Sequence, residues 1–233
     1  LAEEGIPSLV YKGAALAAQA YGSVRARSAS DIDLLGAPAD AGRASDMITG
    51  LGWSLKPGQL TVPRSGQALT IRLTCEITHD GRWPSVDLHW RTEPVRANLR
   101  LPFEELLEYS DLIDVGGVPL RSLCARHAAL VTVAHGTRSF WQAFKWIADA
   151  PVQLSDLNGP GLDEVRAEAR EVGAGSAFAL AEALTSDVLG TPPAREEASI
   201  RRLRNDVWRR HLSPDAQGRV EEPGPLNREI WRF

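Results

Sequence analysis

The chain has 233 residues, with 30 acidic and 26 basic side chains and a net charge of -4, so no overall field draws it to nucleic acid, although a local basic face stays open. Hydrophobic residues at 43% and charged residues at 24% exclude a mostly disordered chain, and no apolar run approaches the roughly 20 residues of a membrane helix. Cys75 and Cys124 lack CxxC spacing, which argues against a disulfide scaffold or a structural zinc site. A soluble, cytoplasmic protein with no membrane partner is expected. The opening Leu1-Ala-Glu-Glu-Gly5 reads as the end of a helix that begins earlier.

In chain order, Ser8 to Lys12 is a short strand stopped by Gly13. Ala14 to Tyr21 is alanine-rich and helical, with Gly22 as its terminator. Asp31 to Leu35 is a second strand, placing Ile32 and Leu34 on one face and Asp31 and Asp33 on the other. Ala39 to Leu51 has Ala44, Met47, Ile48 and Leu51 at helical spacing. Gln67 to Thr78 and Trp83 to Trp90 are longer strands, joined by a turn at His79-Asp80-Gly81. Ser122 is the expected N-cap of a helix over Leu123 to His135, and Ser139 of one over Phe140 to Ala150, which Pro151 stops. Helices follow over Leu162 to Val172 and Ser176 to Leu189, then an arginine-rich helix from Pro192-Pro193 to about His211 and a loop-like tail. The fold class is α/β (α+β): a small mixed-sheet domain over 1–115, then a helical domain over 116–233.

The segment with chemical content runs from Val10 to Leu35. Asp31 and Asp33, two residues apart on a strand, point to one side, and two ionised carboxylates that close need a cation or a shared proton. Mg2+, which prefers oxygen ligands and shares its shell with substrate phosphates, meets that need. A D-x-D pair also occurs by chance on solvated strands. A third acid shifts the balance: Ser85 to Trp90 is a strand with Val86 and Leu88 opposite Asp87 and His89. If it pairs beside the Asp31–Asp33 strand, three carboxylates converge, as a two-metal phosphoryl-transfer site requires. Gly13 ahead of a helix lets backbone N–H groups approach a phosphate, and Lys12 adds positive charge.

Lys12-Gly13-Ala14-Ala15-Leu16-Ala17, Arg27-x-x-x-Asp31-Ile32-Asp33-Leu-Leu, Val86-Asp87-Leu88-His89-Trp90 and the later helix ending Trp146-Ile-Ala-Asp149 together resemble the nucleotidyltransferase-fold family of bacteria. That family is a branch of the DNA polymerase beta-type superfamily, related to abortive-infection and toxin-like nucleotidyltransferases. The resemblance spans about Gly5 to Leu189. It implies a transferase that moves a nucleoside monophosphate from an NTP such as ATP to an acceptor hydroxyl, with two Mg2+ ions as cofactors. Asp31, Asp33 and Asp87 would hold the metal, and Asp87 would also serve as general base. Lys12, Gly13, Arg27 and Ser30 would meet the nucleotide, Arg27 through a phosphate and Ser30 by orienting a metal ligand. Many superfamily members carry Gly-Ser at the phosphate loop, whereas Ala14 follows Gly13 here. Gly22-Ser23 reads as a helix C-cap instead. Members usually carry helical sequence ahead of the Lys-Gly segment.

The acceptor stays open among a small molecule, a peptide and RNA. Two alternatives accompany the first reading: a toxin-like or tRNA-modifying transferase, and a catalytically inactive scaffold that retains the fold. Arg195 to Arg210 holds six arginines against Glu196, Glu197 and Asp206, a pattern more common for a solvated face than for RNA contact. His127 and His135 read as structural helix histidines. Trp141, Phe144 and Trp146 read as core, and His89 as either a substrate contact or a hydrogen-bonded structural residue.

Overall fold

A computed structural model of the chain describes residues 1–55, 74–79, 82–93, 99–157, 160–191 and 197–212. The chain divides into two compact units, Leu1–Val95 with Leu101–Ala128, and Arg96–Arg100 with Ala129–Phe233.

The first unit is built on a mixed seven-stranded sheet in the order β3-β4-β5-β2-β1-β7-β6. Its strands are β1 (Ser8–Val10), β2 (Asp31–Gly36), β3 (Ser54–Leu55), β4 (Thr74–His79), β5 (Arg82–His89), β6 (Asp111–Asp114) and β7 (Pro119–Ser122). Only β2 with β5 and β1 with β7 run parallel; the other neighbours are antiparallel. Helix α1 (Gly13–Tyr21) connects β1 to β2, α2 (Ala41–Gly50) follows β2, and α3 (Phe103–Glu108) precedes β6. Alanine-rich sequence propagates α1 until Gly22, at φ 69°, turns its N–H onto the carbonyls of Ala17 and Ala18.

Strand alternation gives the sheet its faces. Leu34, Val86, Leu88 and Ile77 meet Ala41, Ala44 and Ile48 of α2, with Trp90 and Ile6 completing that core. Ala41, Ala44, Ser45 and Ile48 recur at helical spacing, which is the stripe a helix needs to cover a sheet. Ile77, Leu88 and Trp90 are each at most 2% exposed, and full burial of such side chains is worth roughly 1.5–3 kcal/mol apiece. Leu9 and Leu35, paired across β1 and β2, fall on the opposite face and are also fully buried. That second face carries the acids.

Two expectations in this unit are corrected. Ser122 does not cap a helix: it ends β7 and pairs with Val10, so the helix begins at Ala125. The β6–β7 hairpin was not anticipated. It turns through Gly116 and Gly117, both at positive φ, and Asp114 accepts from the Gly117 N–H at 2.9 Å. The strand expected over Ser8 to Lys12 ends at Val10, because Lys12 already caps α1. Residues 67–73 of the strand expected from Gln67, and Asp80-Gly81 of its turn, lie outside the described residues.

The second unit is helical. Helix α4 (Ala125–Arg138) leads into it, followed by α5 (Phe144–Asp156), α6 (Pro160–Glu171), α7 (Gly175–Leu189) and α8 (Ala198–Leu212). Trp141, Ile147, Ala150, Phe178, Leu180, Ala181 and Leu184 form its buried centre. The helix expected from Phe140 starts at Phe144 instead, because Phe140 and Trp141 adopt positive φ and fold Trp141 back against Gly136. Pro151 does not stop α5 but lies inside it. The lost backbone bond is tolerated there because Ile147, Ala150 and Leu154 bury one face of the helix. Phe144, expected in the core, is 62% exposed and stacks edge-on with His211. Among the described residues no helix is long and apolar enough to cross a membrane.

Candidate active site

The register of β2 against β5 builds the site. In this parallel pair Asp31 lies opposite Ser85, Asp33 opposite Asp87, and Leu35 opposite His89. Residues of one parity share a face, so Asp31, Asp33, Asp87 and His89 all project to the side away from α2. The carboxylates of Asp33 and Asp87 and the imidazole of His89 bring one ligand atom each within 4.8 Å of one another. Asp31 is not part of that group. It is half-buried one pleat nearer the strand start, and accepts from Ser30 Oγ at 3.4 Å.

The turn from β1 into α1 closes over these acids. The Tyr11 N–H donates to the Asp33 carbonyl at 3.2 Å, and the Lys12 carbonyl accepts from the Leu16 N–H at 2.7 Å to open the helix. Lys12 has φ 56° and ψ -153°, a conformation almost reserved for glycine and worth roughly 1–3 kcal/mol of strain. Gly13 follows at φ 36°, and a Cβ there would stand 3.4 Å from the Asp31 carbonyl oxygen and 3.9 Å from Asp33 Oδ2. The first turn of α1 therefore passes directly beside the Asp33 carboxylate.

Charges inside the site are unevenly matched. Lys12 Nζ lies 3.7 Å from Asp33 Oδ1, donates to the Tyr11 hydroxyl at 3.3 Å and sits 4.5 Å from the Tyr11 ring centroid. His89 Nε2 is 2.7 Å from the same Oδ1, and its ring stands edge-on to Tyr11 with centroids 5.3 Å apart. Burial pushes the His89 pKa down to about 4. The hydrogen bond to Asp33 opposes that shift and nearby Lys12 adds to it, so the ring is neutral near pH 7. The close carboxylates of Asp33 and Asp87 offer oxygen donors that fit a divalent cation, with the neutral His89 imidazole within the same reach and the Lys12 ammonium as a counter-charge beside them.

The candidates named from sequence are thus placed as follows. Asp33, Asp87, Lys12 and Gly13 come together, with Asp31 adjacent. Arg27 is half-buried and Ser30 exposed on the segment leading into β2, where the Ser30 hydroxyl meets the Asp31 carboxylate. Tyr11 was missed. Its only sequence signal is its place two residues beyond buried Leu9, just past the end of β1. The bond between His89 and Asp33 was likewise not foreseen.

Outside the site, His127 is fully buried 4.0 Å from Glu105, and His135 bonds Arg138 and stacks on Trp146. On α8, Arg204 pairs with Asp187 at 2.7 Å and Arg209 with Asp206 at 2.6 Å. Those two arginines are spoken for, and Arg195 lies outside the described residues.

No curated protein matches the chain. A family model described as uncharacterised nucleotidyltransferase matches residues 1–190, which contain β1, α1, β2 and β5 and so every acid of the site. By that match the chain belongs to this nucleotidyltransferase family.

Proposed function

We propose that the chain is a Mg2+-dependent nucleotidyltransferase that moves a nucleoside monophosphate from an NTP to an acceptor hydroxyl. The observation that carries this reading is the β2–β5 register, which sets Asp33 across from Asp87 beside the Lys12–Gly13 turn. Asp31, Asp33 and Asp87 are the residues that would hold two Mg2+ ions, which when bound supply positive charge to the triphosphate and acidify the acceptor hydroxyl.

The protein's own groups do the rest. The first-turn N–H groups of α1 and the Lys12 ammonium receive triphosphate oxygens, and Gly13 leaves space for their approach. Arg27 meets a phosphate from the segment before β2, and Ser30 steadies Asp31. Asp87, half-buried and therefore reachable, accepts the proton of the acceptor hydroxyl. The acceptor oxygen then bonds to the α-phosphorus as the bond to the bridging β-phosphate oxygen breaks, and pyrophosphate leaves. In this reading residues 1–115 carry the transfer and residues 116–233 select the acceptor.

Incubation with each labelled NTP, Mg2+ and cell extract tests the proposal. Transfer is expected from wild type and lost in the double variant Asp31→Ala/Asp33→Ala. Label transfer indifferent to that substitution removes the catalytic assignment. Failure of wild type to bind any Mg2+–NTP in calorimetry removes the enzyme reading itself.

A further inference from the structure

We infer that His89 is the positioning residue of the carboxylate centre, holding Asp33 by Oδ1 so that Oδ2 stays turned toward Gly13 and the nucleotide side. The inference rests on the metal-dependent transferase reading above and concerns a residue that reading does not use.

Position along the strands separates His89 from the ligands. It stands opposite Leu35, one pair further along the strands than Asp33 and Asp87; it is 4% exposed and Asp33 8%, while Asp31 and Asp87 are half-buried. Asp31 and Ser85, at the opposite end of this paired stretch, are both half-buried. A carboxylate oxygen accepts only, so the 2.7 Å contact requires the ring to donate through Nε2–H to Asp33 Oδ1. Tyr11 stands edge-on against that ring with planes 83° apart, which restrains its rotation. Lys12 Nζ approaches the same Oδ1 at 3.7 Å. Both restraints act on Oδ1. The other oxygen, Oδ2, lies on the Gly13 side, where a Cβ would approach it to 3.9 Å.

A carboxylate gripped at Oδ1 by these two groups has its rotamer restricted before any ligand arrives. Outer partners of this kind typically contribute 10–100-fold to metal affinity. The competing role, a direct imidazole ligand, would use Nδ1, which is buried without a hydrogen-bond partner, or exchange the Nε2 bond to Asp33 for the cation. The two roles respond differently to substitution. Gln places its amide N–H close to the position of histidine Nε2 and keeps the donor, but it is a poor substitute for imidazole as a ligand. Leu keeps bulk and loses both.

The experiment uses the full chain, with Mn2+ alone as the probe. Binding is followed by the free-ion paramagnetic resonance signal, and nitrogen ligation by electron spin echo modulation from 14N. Circular dichroism checks the fold of each variant. Wild type is expected to bind Mn2+ without directly coordinated 14N, His89→Gln to stay within about 3-fold of it, and His89→Leu to weaken by about 10–100-fold. Directly coordinated 14N in wild type, with equal loss in both variants, makes His89 a ligand and overturns the inference. So does a Leu variant that binds like wild type. Should His89→Leu fail to fold, the Gln variant and the wild-type 14N spectrum decide: a loss beyond about 10-fold in Gln, or coordinated nitrogen in wild type, is equally fatal. A wild type that binds no Mn2+ overturns the inference together with the metal reading, and that failure is recognisable because it precedes any substitution.

Discussion

Replacing Gly13 with alanine separates the two things this residue does. At φ 36° an L-residue is pushed into left-handed backbone, which costs roughly 1–2 kcal/mol. The added Cβ makes only ordinary contacts, 3.4 Å to the Asp31 carbonyl oxygen, 3.5 Å to Ala29 Cβ and 3.9 Å to Asp33 Oδ2, so packing adds nothing further. For a chain of this size each kcal/mol lowers Tm by about 2–4 °C, giving an expected drop of about 2–8 °C. The methyl group stands beside Asp33 Oδ2, in the space that the proposed reading gives to a phosphate. Nucleotide affinity should therefore fall at least about 10-fold, equivalent to about 1.4 kcal/mol. Thermal unfolding gives the first quantity, and calorimetry with Mg2+–NTP well below either Tm gives the second.

Gly22→Ala is the internal control for that experiment. Gly22 also has positive φ, at 69°, but a Cβ there meets nothing within 4 Å. It should lose similar stability and keep nucleotide affinity. If Gly13→Ala binds NTP as wild type does, the phosphate-loop assignment is refuted. If Gly22→Ala loses binding to the same extent, the loss at Gly13 reflects general destabilisation and says nothing of a loop.

Three further outcomes follow from the packing. In Gly136→Ala, helix propensity predicts a gain of about 1 kcal/mol, but the Cβ would lie 2.9 Å from Cε3 and Cζ3 of fully buried Trp141, so a net loss of about 1–3 kcal/mol is expected in urea unfolding; a stabilised variant refutes the geometry. Asp187→Ala removes the acceptor of Arg204 Nη1 at 2.7 Å and Trp208 Nε1 at 2.5 Å, and because the site is partly solvated the expected loss is about 1–2 kcal/mol; a change near zero means water replaces both bonds. His127 has its pKa lowered from 6.5 by burial first and by Arg126 second, against the pull of Glu105. The unfolded chain therefore takes up that proton before the folded one, so the stability from a neutral His127 is complete above pH 6.5 and declines as pH falls below it. Urea midpoints measured at about pH 7.5 and pH 5.5 should fall less in His127→Gln than in wild type, and an equal fall removes His127 from the account.

What sequence made legible was local. Alternation on Asp31 to Leu35 and on Ser85 to Trp90 fixes which side chains share a face, and the Lys12-Gly13 pair ahead of an alanine-rich run marks a turn into a helix. Those features survive in β2, β5 and α1. Non-local geometry was not legible. The contact between His89 and Asp33 joins residues 56 apart and depends on register, which no window of sequence contains. The β6–β7 hairpin is two four-residue strands around a Gly-Gly turn, too short for periodicity to distinguish from a linker. Pro151 and Phe144 were misjudged for a related reason: local propensity was outweighed by burial of the opposite face of α5.

Register also explains why the site and the core cannot vary independently. A one-residue slip of β5 against β2 would turn every side chain over, sending Asp87 and His89 toward α2 and Val86 and Leu88 toward the acids. What forbids the slip is the apolar set Leu34, Val86, Leu88 and Ile77, which finds Ala41, Ala44 and Ile48 of α2 on one side only. The strands are parallel, so the chain must leave β2 and return before β5 can align, and α2 is the element that follows β2 on that excursion. The helix that secures the hydrophobic face thereby sets the spacing of the carboxylates on the other. Two acids far apart in sequence become a facing pair because apolar residues between them have only one place to go.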